Sequence, residues 1–542
     1  MYLMLSSVTP SRWQRAFAIL RPSHRHSAFT ATLLLMASAV ASRAIGLVRI
    51  KYVAWLLGRT AAADAFNAAF QLPDMISYFL VGGAASITFI TMLTHYRDAG
   101  REDEGERSMS IILTTMTLVL GTAILVAEFY APLYVHGLLH GFENDPAKAV
   151  LCIHLTRILL PAQLFFLAGG VFGAVQLVRK QFLLFALTPL VYTGGIILGG
   201  ILLHRHSGPS SLAYGAVAGA FLGPFLLNGI GAHRAGMRYR PLLDWSDPGL
   251  HEWVRMSVPL MLGVSLVTAD NWIINYFASH TGGAISLLTY AKQLFTAPVL
   301  LGQAAGAASL PFLASLYGKP DADRPPDRAL FARAVNASVS RILCFSLLLT
   351  AFMIAMAQPL VDLVLRGGAF GRADSATMAL YFAIFSFSLF LWSAQAIYAR
   401  AFYAAGNTLV PMLAGTIVTL VSLPLYWGLD HSLGPVGLAI ASDIGILIQT
   451  TTLAVLLHNR RMVWLAGLEY PELFRSLLAS ALAFAALYAI RLHVHTTSRL
   501  HELALLIAAT AIWFAISAGV LKLLGSALPG QLLARFAKRS AV

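Results

Sequence analysis

Runs of about 20 apolar residues recur along this chain, each long enough to cross the hydrocarbon core of a bilayer. Lipid offers the backbone no hydrogen-bond partners, so runs of that length must fold as helices or join a closed barrel. Their length and continuous hydrophobicity select helices, because barrel strands are shorter and alternate in polarity. Of the 542 residues, 58% are hydrophobic and 11% charged, with a mean hydropathy of +0.72. A soluble domain would carry roughly 25% charged residues. The expected fold is an all-α polytopic membrane protein.

The runs divide into about fourteen transmembrane helices between residues 28 and 525. Short connections rich in Gly, Pro, Asn and Asp separate them, as in HSGPSS, SHTGG and DHSLGP. The two longest polar connectors, His233 to Glu252 and Gly318 to Arg328, are too short to hold a folded domain. A net charge of +14 suggests nucleic-acid binding only in isolation. In a membrane protein, excess Lys and Arg belongs to the cytoplasmic loops, and no nucleic-acid partner is expected. Placing both termini in the cytoplasm puts most loop Lys and Arg on that side. The basic N-terminus, with Arg12, Arg15, Arg21 and Arg25, leads into a first helix with no convincing cleavage site. Cys152 and Cys344 each lie in an apolar run and imply neither a disulfide framework nor a metal site.

A weak repeat organises the spans. RKQFLLFALTPLVYTGGIILGG followed by SSLAYGAVAGAFLGP echoes AAGNTLVPMLAGTIVTLVSL followed by PVGLAIASDIGILIQ. Pro189 then aligns with Pro411, and Leu212-Ala213 with Leu438-Ala439, at nearly equal offsets. The expected layout is a cytoplasmic N-terminus (1–27), a six-helix N-lobe (28–235) and a six-helix C-lobe (236–460). Two further helices (461–525) and a cytoplasmic tail (526–542) complete it.

No phosphate-binding loop, zinc-protease helix, nucleophile elbow or paired-cysteine motif is present in the sequence. A two-lobed membrane protein without these motifs points away from an enzyme and toward a secondary-type transporter with no bound cofactor. The candidate driving forces are Na+ or H+ and the membrane potential.

Ionisable residues inside spans are costly unless paired or functional. The first span contains SRAIGLVRIK, with Arg43, Arg49 and Lys51. At 100° per residue, Ser42 and Arg49 share a face while Arg43 and Lys51 lie about 80° apart. Arg43, nearest mid-span, is the leading candidate for a cavity-lining cation, and Lys51 can snorkel to the interface. Asp64 and Asp74, around the second span, are candidate charge partners for these cations. Arg157 in the fourth span is either a ligand or one half of a structural pair. Asp270-Asn271 is a candidate ion site, although Asp270 can equally pair with Lys292 on the next helix. A cationic cavity suits an anionic head group, because guanidinium binds phosphate oxygens in a bidentate fork.

The ordered motifs resemble the MurJ/MviN family of lipid II flippases in the MOP exporter superfamily. SRAIGLVR matches the family's S-R-x-x-G-x-x-R, and AADAFNAAFQLP its A-x-D-A-F-x-x-A-F-x-L-P. GGAASITFI, LLTYAKQLFTAPVLLGQAAGAASLPFLASL, LRGGAFGRADSATMAL, ARAFYAAGNTLVP and GPVGLAIASDIG follow in the family's order. The resemblance covers nearly the whole chain. It implies two MOP/MATE-like lobes around a central cavity, with the last two helices helping to form a groove for the lipid tail. It also implies transport of lipid II, the undecaprenyl-pyrophosphate-linked peptidoglycan precursor, from the inner to the outer leaflet of the bacterial cytoplasmic membrane. Arg43, Arg49 and Arg157 would then contact pyrophosphate, with Lys292 as a partial substitute for a missing arginine. Asp64 would hold or release the cations during alternating access. The bilayer and the cell-wall synthesis machinery are the implied partners.

The chain departs from the family at several positions. Ser77 and Tyr78 stand where many members carry an arginine pair, and Gly82 replaces an acidic residue. Lys292-Gln293 replaces Asp-Arg, and Gln71 replaces a lysine. These substitutions leave open two alternatives: a flippase for another polyprenyl-linked glycan, as in O-antigen export, and a non-transporting scaffold of the same fold.

Overall fold

The computed structural model describes residues 28–80, 84–262, 266–317, 328–494 and 498–530. The basic residues expected at the N-terminus, Gly82, the polar connector after Tyr317 and most of the C-terminal tail lie outside these residues. Twenty-one α-helices account for nearly all of the described chain. α1 (Ala28–Leu57) carries SRAIGLVRIK. The second expected span is divided among α2 (Ala61–Ala69), α3 (Gln71–Leu80) and α4 (Ala84–Asp98). α5 (Glu102–Leu138), α6 (Pro146–Leu159), α7 (Ala162–Val178) and α8 (Leu183–Ser207) follow. α9 (Ser210–Ala220) and α10 (Asn228–Arg234) flank a π-helical turn, Phe221–Leu227, around Pro224. α11 (Pro248–Leu262) and α12 (Leu266–Ala278) share the seventh expected span.

The remainder comprises α13 (Ala284–Tyr317), α14 (Arg328–Ala355), α15 (Ala357–Val364), α16 (Arg372–Phe387) and α17 (Leu389–Ala404). Last come α18 (Leu409–Leu433), α19 (Pro435–Asn459), α20 (Tyr470–His493) and α21 (Arg499–Leu523). Among the described residues, ten spans are long and apolar enough to cross a membrane, or eleven when α16 and α17, bent by 41°, count as one. The other expected spans are α1, with its three cations, and the two divided ones.

The sequence repeat has a structural counterpart. α8 and α18 are each 25 residues long, and each ends on a glycine of positive φ followed by proline: Gly208-Pro209 and Gly434-Pro435. The left-handed conformation ends the helix at no Cβ cost, and proline starts the next one. The α8–α9 pair is drawn close by small residues. A Cβ on Gly199 would stand 2.4 Å from the Gly215 Cα, and one on Gly195 would stand 2.5 Å from the Gly219 Cα. Close backbone approach of this kind replaces the hydrophobic drive that lipid cannot supply.

Two compact units emerge. The first contains residues up to 49, 69–133 and 152–262. Its core gathers Phe89, Met109, Ile112, Leu167, Val171 and Trp253. The second contains residues 50–68, 134–151 and 263 onward. Its core includes Phe331, Val339, Ile397, Phe402, Leu453 and Leu457. α20 and α21 pack on α14 through Leu348, Ala479 and Leu521, and Trp513 Nε1 donates to the Leu348 carbonyl at 2.8 Å. Their other faces expose Leu477, Leu482, Leu503, Ile507 and Phe514, as lipid-facing helices do. The lobes expected at 28–235 and 236–460 divide the chain once, whereas these units interleave, because α1, α5 and α6 each contribute one end to the second unit.

Candidate functional site

Within the first unit, one face of α1 packs on α8. Ser38 Oγ donates to the Ala186 carbonyl, and Ile45 reaches Gly194. Helical periodicity puts Ser42 and Arg49 on this same stripe and turns Arg43 about 140° from it. Arg49 is accordingly half-buried and within electrostatic reach of Asp74 and Tyr192. Arg43 is exposed and has no ion-pair partner among the described residues.

Asp74 sits in the first turn of α3, where the helix N-terminus favours a carboxylate. It borders a cavity of about 360 Å³ that is also lined by Phe70, Ser77, Gln163, Phe166 and Tyr192. That volume lies in the range of small-ligand sites, about 300–1,000 Å³. Gln163 is buried in the first turn of α7, and Tyr192 packs edge-on against Phe166 with ring centroids 5.1 Å apart. A carboxylate, an amide, a hydroxyl and a phenol thus line one space, and the amide, hydroxyl and phenol can donate hydrogen bonds to an oxyanion there. Neither Arg43, the expected cavity-lining cation, nor Arg49 is among the lining residues; Arg49 is within electrostatic reach of two of them, Asp74 and Tyr192.

Arg157 stands elsewhere in the first unit. Its Nε donates to the Glu128 carbonyl at 3.0 Å, with the Glu128 carboxylate 3.9 Å away, and its side chain is 45% exposed. Of the two readings of Arg157, the structural pair is the one formed.

In the second unit, Asp64 does not meet the cations of α1. It is fully buried and accepts from Lys148 Nζ at 3.0 Å, Gly283 N at 2.7 Å, Ser286 N at 2.9 Å and Ser286 Oγ at 2.8 Å. Its carboxylate caps the first turn of α13 from a distant part of the chain, satisfying backbone donors that every helix start leaves free. Lys148 is buried as well, its Nζ 4.0 Å from the centroid of the Phe142 ring. Gly283 has φ +76°, and a Cβ there would strike Arg59. These contacts bind residues 50–68 and 134–151 into the second unit.

Lys51 reaches the ends of two helices of the second unit. Its Nζ donates to the Arg366 carbonyl at 2.6 Å, an oxygen that also accepts from Arg499 at 2.7 Å. Arg366 in turn lies 3.3 Å from the buried Glu502 of α21.

Asp270 and Asn271 do not form a joint ion site. Successive helix residues point about 100° apart, so Asp270 is buried while Asn271 is exposed. Asp270 accepts instead from Lys292 Nζ and Ser442 Oγ on one oxygen and from Tyr426 Oη on the other, the serine bond being 2.7 Å. Lys292, a candidate pyrophosphate ligand, is therefore engaged by a carboxylate.

Sequence reasoning missed Lys148, Gln163, Tyr192 and Ser286. Lys148 did leave a signal, since a cation in the first turn of a helix opposes the macrodipole and needs a counter-charge.

Ten or eleven apolar spans among the described residues, with charges buried in each unit and a polar cavity in one, define a polytopic membrane protein. A family model described as lipid II flippase MurJ matches residues 53–510. A probable lipid II flippase MurJ of Rhizobium meliloti is 26% identical over 509 residues, covering 89% of this chain and 92% of that protein. Among solved structures, a lipid II flippase MurJ in an inward closed conformation aligns with a TM-score of 0.75 at 19% identity, covering 90% and 99% of the two chains. An inward-facing MATE-family multidrug resistance transporter of the MOP superfamily aligns at 0.63 and 13% identity, covering 77% and 94%. The chain belongs to the MurJ family of lipid II flippases. It is a multi-pass protein of the inner membrane and a transporter by family, not an enzyme.

Proposed function

We propose that this chain carries lipid II from the inner to the outer leaflet by alternating access, with both termini in the cytoplasm and the membrane potential or an ion gradient as the driving force. The carrying observation is a polar cavity of about 360 Å³ lined by Asp74, Ser77, Gln163 and Tyr192, with the half-buried Arg49 within electrostatic reach of Asp74 and Tyr192. An arginine free of a close carboxylate retains its fork for pyrophosphate oxygens, and Asp74 competes for it when the head group leaves. Arg43, exposed and unpaired among the described residues, supplies a second cation during entry. In this reading the 28–235 and 236–460 lobes rock, parting residues 50–68 and 134–151 from the second unit they pack into here, while the 461–525 helices guide the lipid tail and the cell-wall synthesis machinery receives the product.

The Asp64–Lys148–Ser286 network is the closure that must open once per cycle. A second reading, export of a different polyprenyl-pyrophosphate glycan, draws on one observation: Ser77, at a position where many relatives carry arginine, lines the cavity.

The test is complementation. A host depleted of its own lipid II flippase, expressing this chain, should grow and keep lipid II from accumulating in the inner leaflet. Arg49→Ala, at equal expression, should not rescue. Failure of the well-expressed parent chain to rescue sinks the lipid II reading, and rescue by Arg49→Ala sinks the cavity as the head-group site.

A further inference from the structure

The second unit buries two carboxylates near one ammonium. Asp270 is matched: Lys292, Tyr426 and Ser442 all donate to it. Asp443, one residue beyond Ser442 on α19, is 9% exposed, and its Oδ1 has no hydrogen-bond partner among the described residues. The charged or titratable groups facing Asp443 are Asp270 from α12, Lys292 from α13 and Tyr426 from α18. α16 and α17 meet it through Ser388, at the 41° bend between them.

With Lys292 committed to Asp270, an ionised Asp443 leaves this buried group one positive charge short. An uncompensated charge at that depth is costly, so a further cation is required.

The surroundings decide which cation. Asp443 borders a cavity of about 420 Å³ whose other lining residues include Ile354, Ile384, Phe387, Ile440 and Leu447. Hard metal cations need several oxygen ligands, and this lining offers none besides the carboxylate. A proton needs only the carboxylate. Ser388 fits that state: its hydroxyl hydrogen goes to the Phe385 carbonyl at 2.9 Å, leaving its lone pairs to accept from a carboxylic acid.

We propose that Asp443 is an exchangeable proton site, and that Lys292 acts as a tethered cation that fills the Asp270 site against free Na+. The coupling that follows, H+ and not Na+, rests on the transport reading above. The site itself does not.

Infrared difference spectroscopy of the full-length protein in nanodiscs, titrated from acid to alkaline pH in choline chloride, tests the proposal. The expected result is a deuterium-sensitive carboxylic-acid band that disappears on titration, is absent in Asp443→Asn and is shifted in Asp443→Glu. Exchanging choline for Na+ should leave it unchanged. The proposal is overturned by a wild-type spectrum with no acid band at any pH, by a band that survives Asp443→Asn, or by a band that Na+ or tetraphenylphosphonium displaces. If Asp443→Asn does not fold, an unshifted band in Asp443→Glu overturns it equally. Complementation separates the two readings. A titrating band in a chain that does not rescue removes transport and keeps the proton site, while rescue without the band does the reverse.

Discussion

Lys148→Met tests the Asp64 network most directly. Asp64 holds a formal charge at zero exposure, and Lys148 Nζ, 3.0 Å away, is its counter-ion. Methionine keeps the stem of the side chain and removes the charge, leaving Asp64 with three hydrogen bonds and no neutralising cation. Breaking one side of a buried ion pair costs about 3–5 kcal/mol. That cost falls on the closed arrangement alone, since opening exposes Asp64 to water. The amides of Gly283 and Ser286, which donate to Asp64 at 2.7 and 2.9 Å, report the opening directly. At about 1.4 kcal/mol per tenfold, their hydrogen exchange should accelerate by about 10²- to 4 × 10³-fold in Lys148→Met. The assay is hydrogen–deuterium exchange mass spectrometry in nanodiscs on peptides covering residues 61–69 and 283–290, with α20 and α21 as the control. Lys148→Arg keeps the charge and should remain near wild type. Exchange in Lys148→Met equal to wild type would show that Lys148 does not neutralise Asp64. Uniform acceleration that includes α20 and α21 would show the pair to be general fold support, with no local closure to release.

Arg157→Ala should sustain growth in the complementation assay, because a pair 45% exposed contributes only about 0–1 kcal/mol and lies apart from the cavity lining; loss of rescue at normal expression would refute this. Lys51→Gln should lower stability by about 1 kcal/mol, the worth of one hydrogen bond to the Arg366 carbonyl, and remain functional, as read by thermal unfolding and growth. Gly199→Leu should depress the unfolding temperature sharply, because even its Cβ would stand 2.4 Å from the Gly215 backbone and force α8 from α9; an unchanged temperature would refute the close contact.

Much of the fold was legible because its signals are local. Apolar runs announce spans, and the Gly-Pro junctions after α8 and α18 announce the repeat. Motif order pointed to the family, and the Asp270–Lys292 pair was one of two readings open from the sequence. What stayed hidden was which distant residues meet. Asp64 lies near the cations of α1 in sequence, yet its cation is Lys148, 84 residues away, and its other donors begin 219 residues away at Gly283. Helical direction also escaped a reading by depth alone. Arg43 looked central because it is mid-span, but the Ser38–Ile45 stripe on α8 carries Arg49 inward and leaves Arg43 outside it.

The charge balance within each unit sharpens the reading of the family substitutions. In the second unit, Lys148, Lys292 and Arg366 are each within 4 Å of a carboxylate oxygen, from Asp64, Asp270 and Glu502 respectively. Adding a cation there, as Lys292 does, creates an internal pair and no new site for an anion. In the first unit, Arg43 and Arg49 have no such partner among the described residues, and Ser77, where the family resemblance implies an arginine, lines the cavity. Arg43 and Arg49 therefore keep positive charge for an anionic head group beside the first unit's cavity, whereas Lys148, Lys292 and Arg366 in the second unit are each matched by a carboxylate. Restoring one cation with Ser77→Arg should tighten binding of a pyrophosphate-bearing lipid, measured with lipid II in nanodiscs, and should do so less when Arg49 is already Ala. Equal gains in both backgrounds would mean that residues 49 and 77 do not share a ligand, and the cavity would lose its claim as the head-group site.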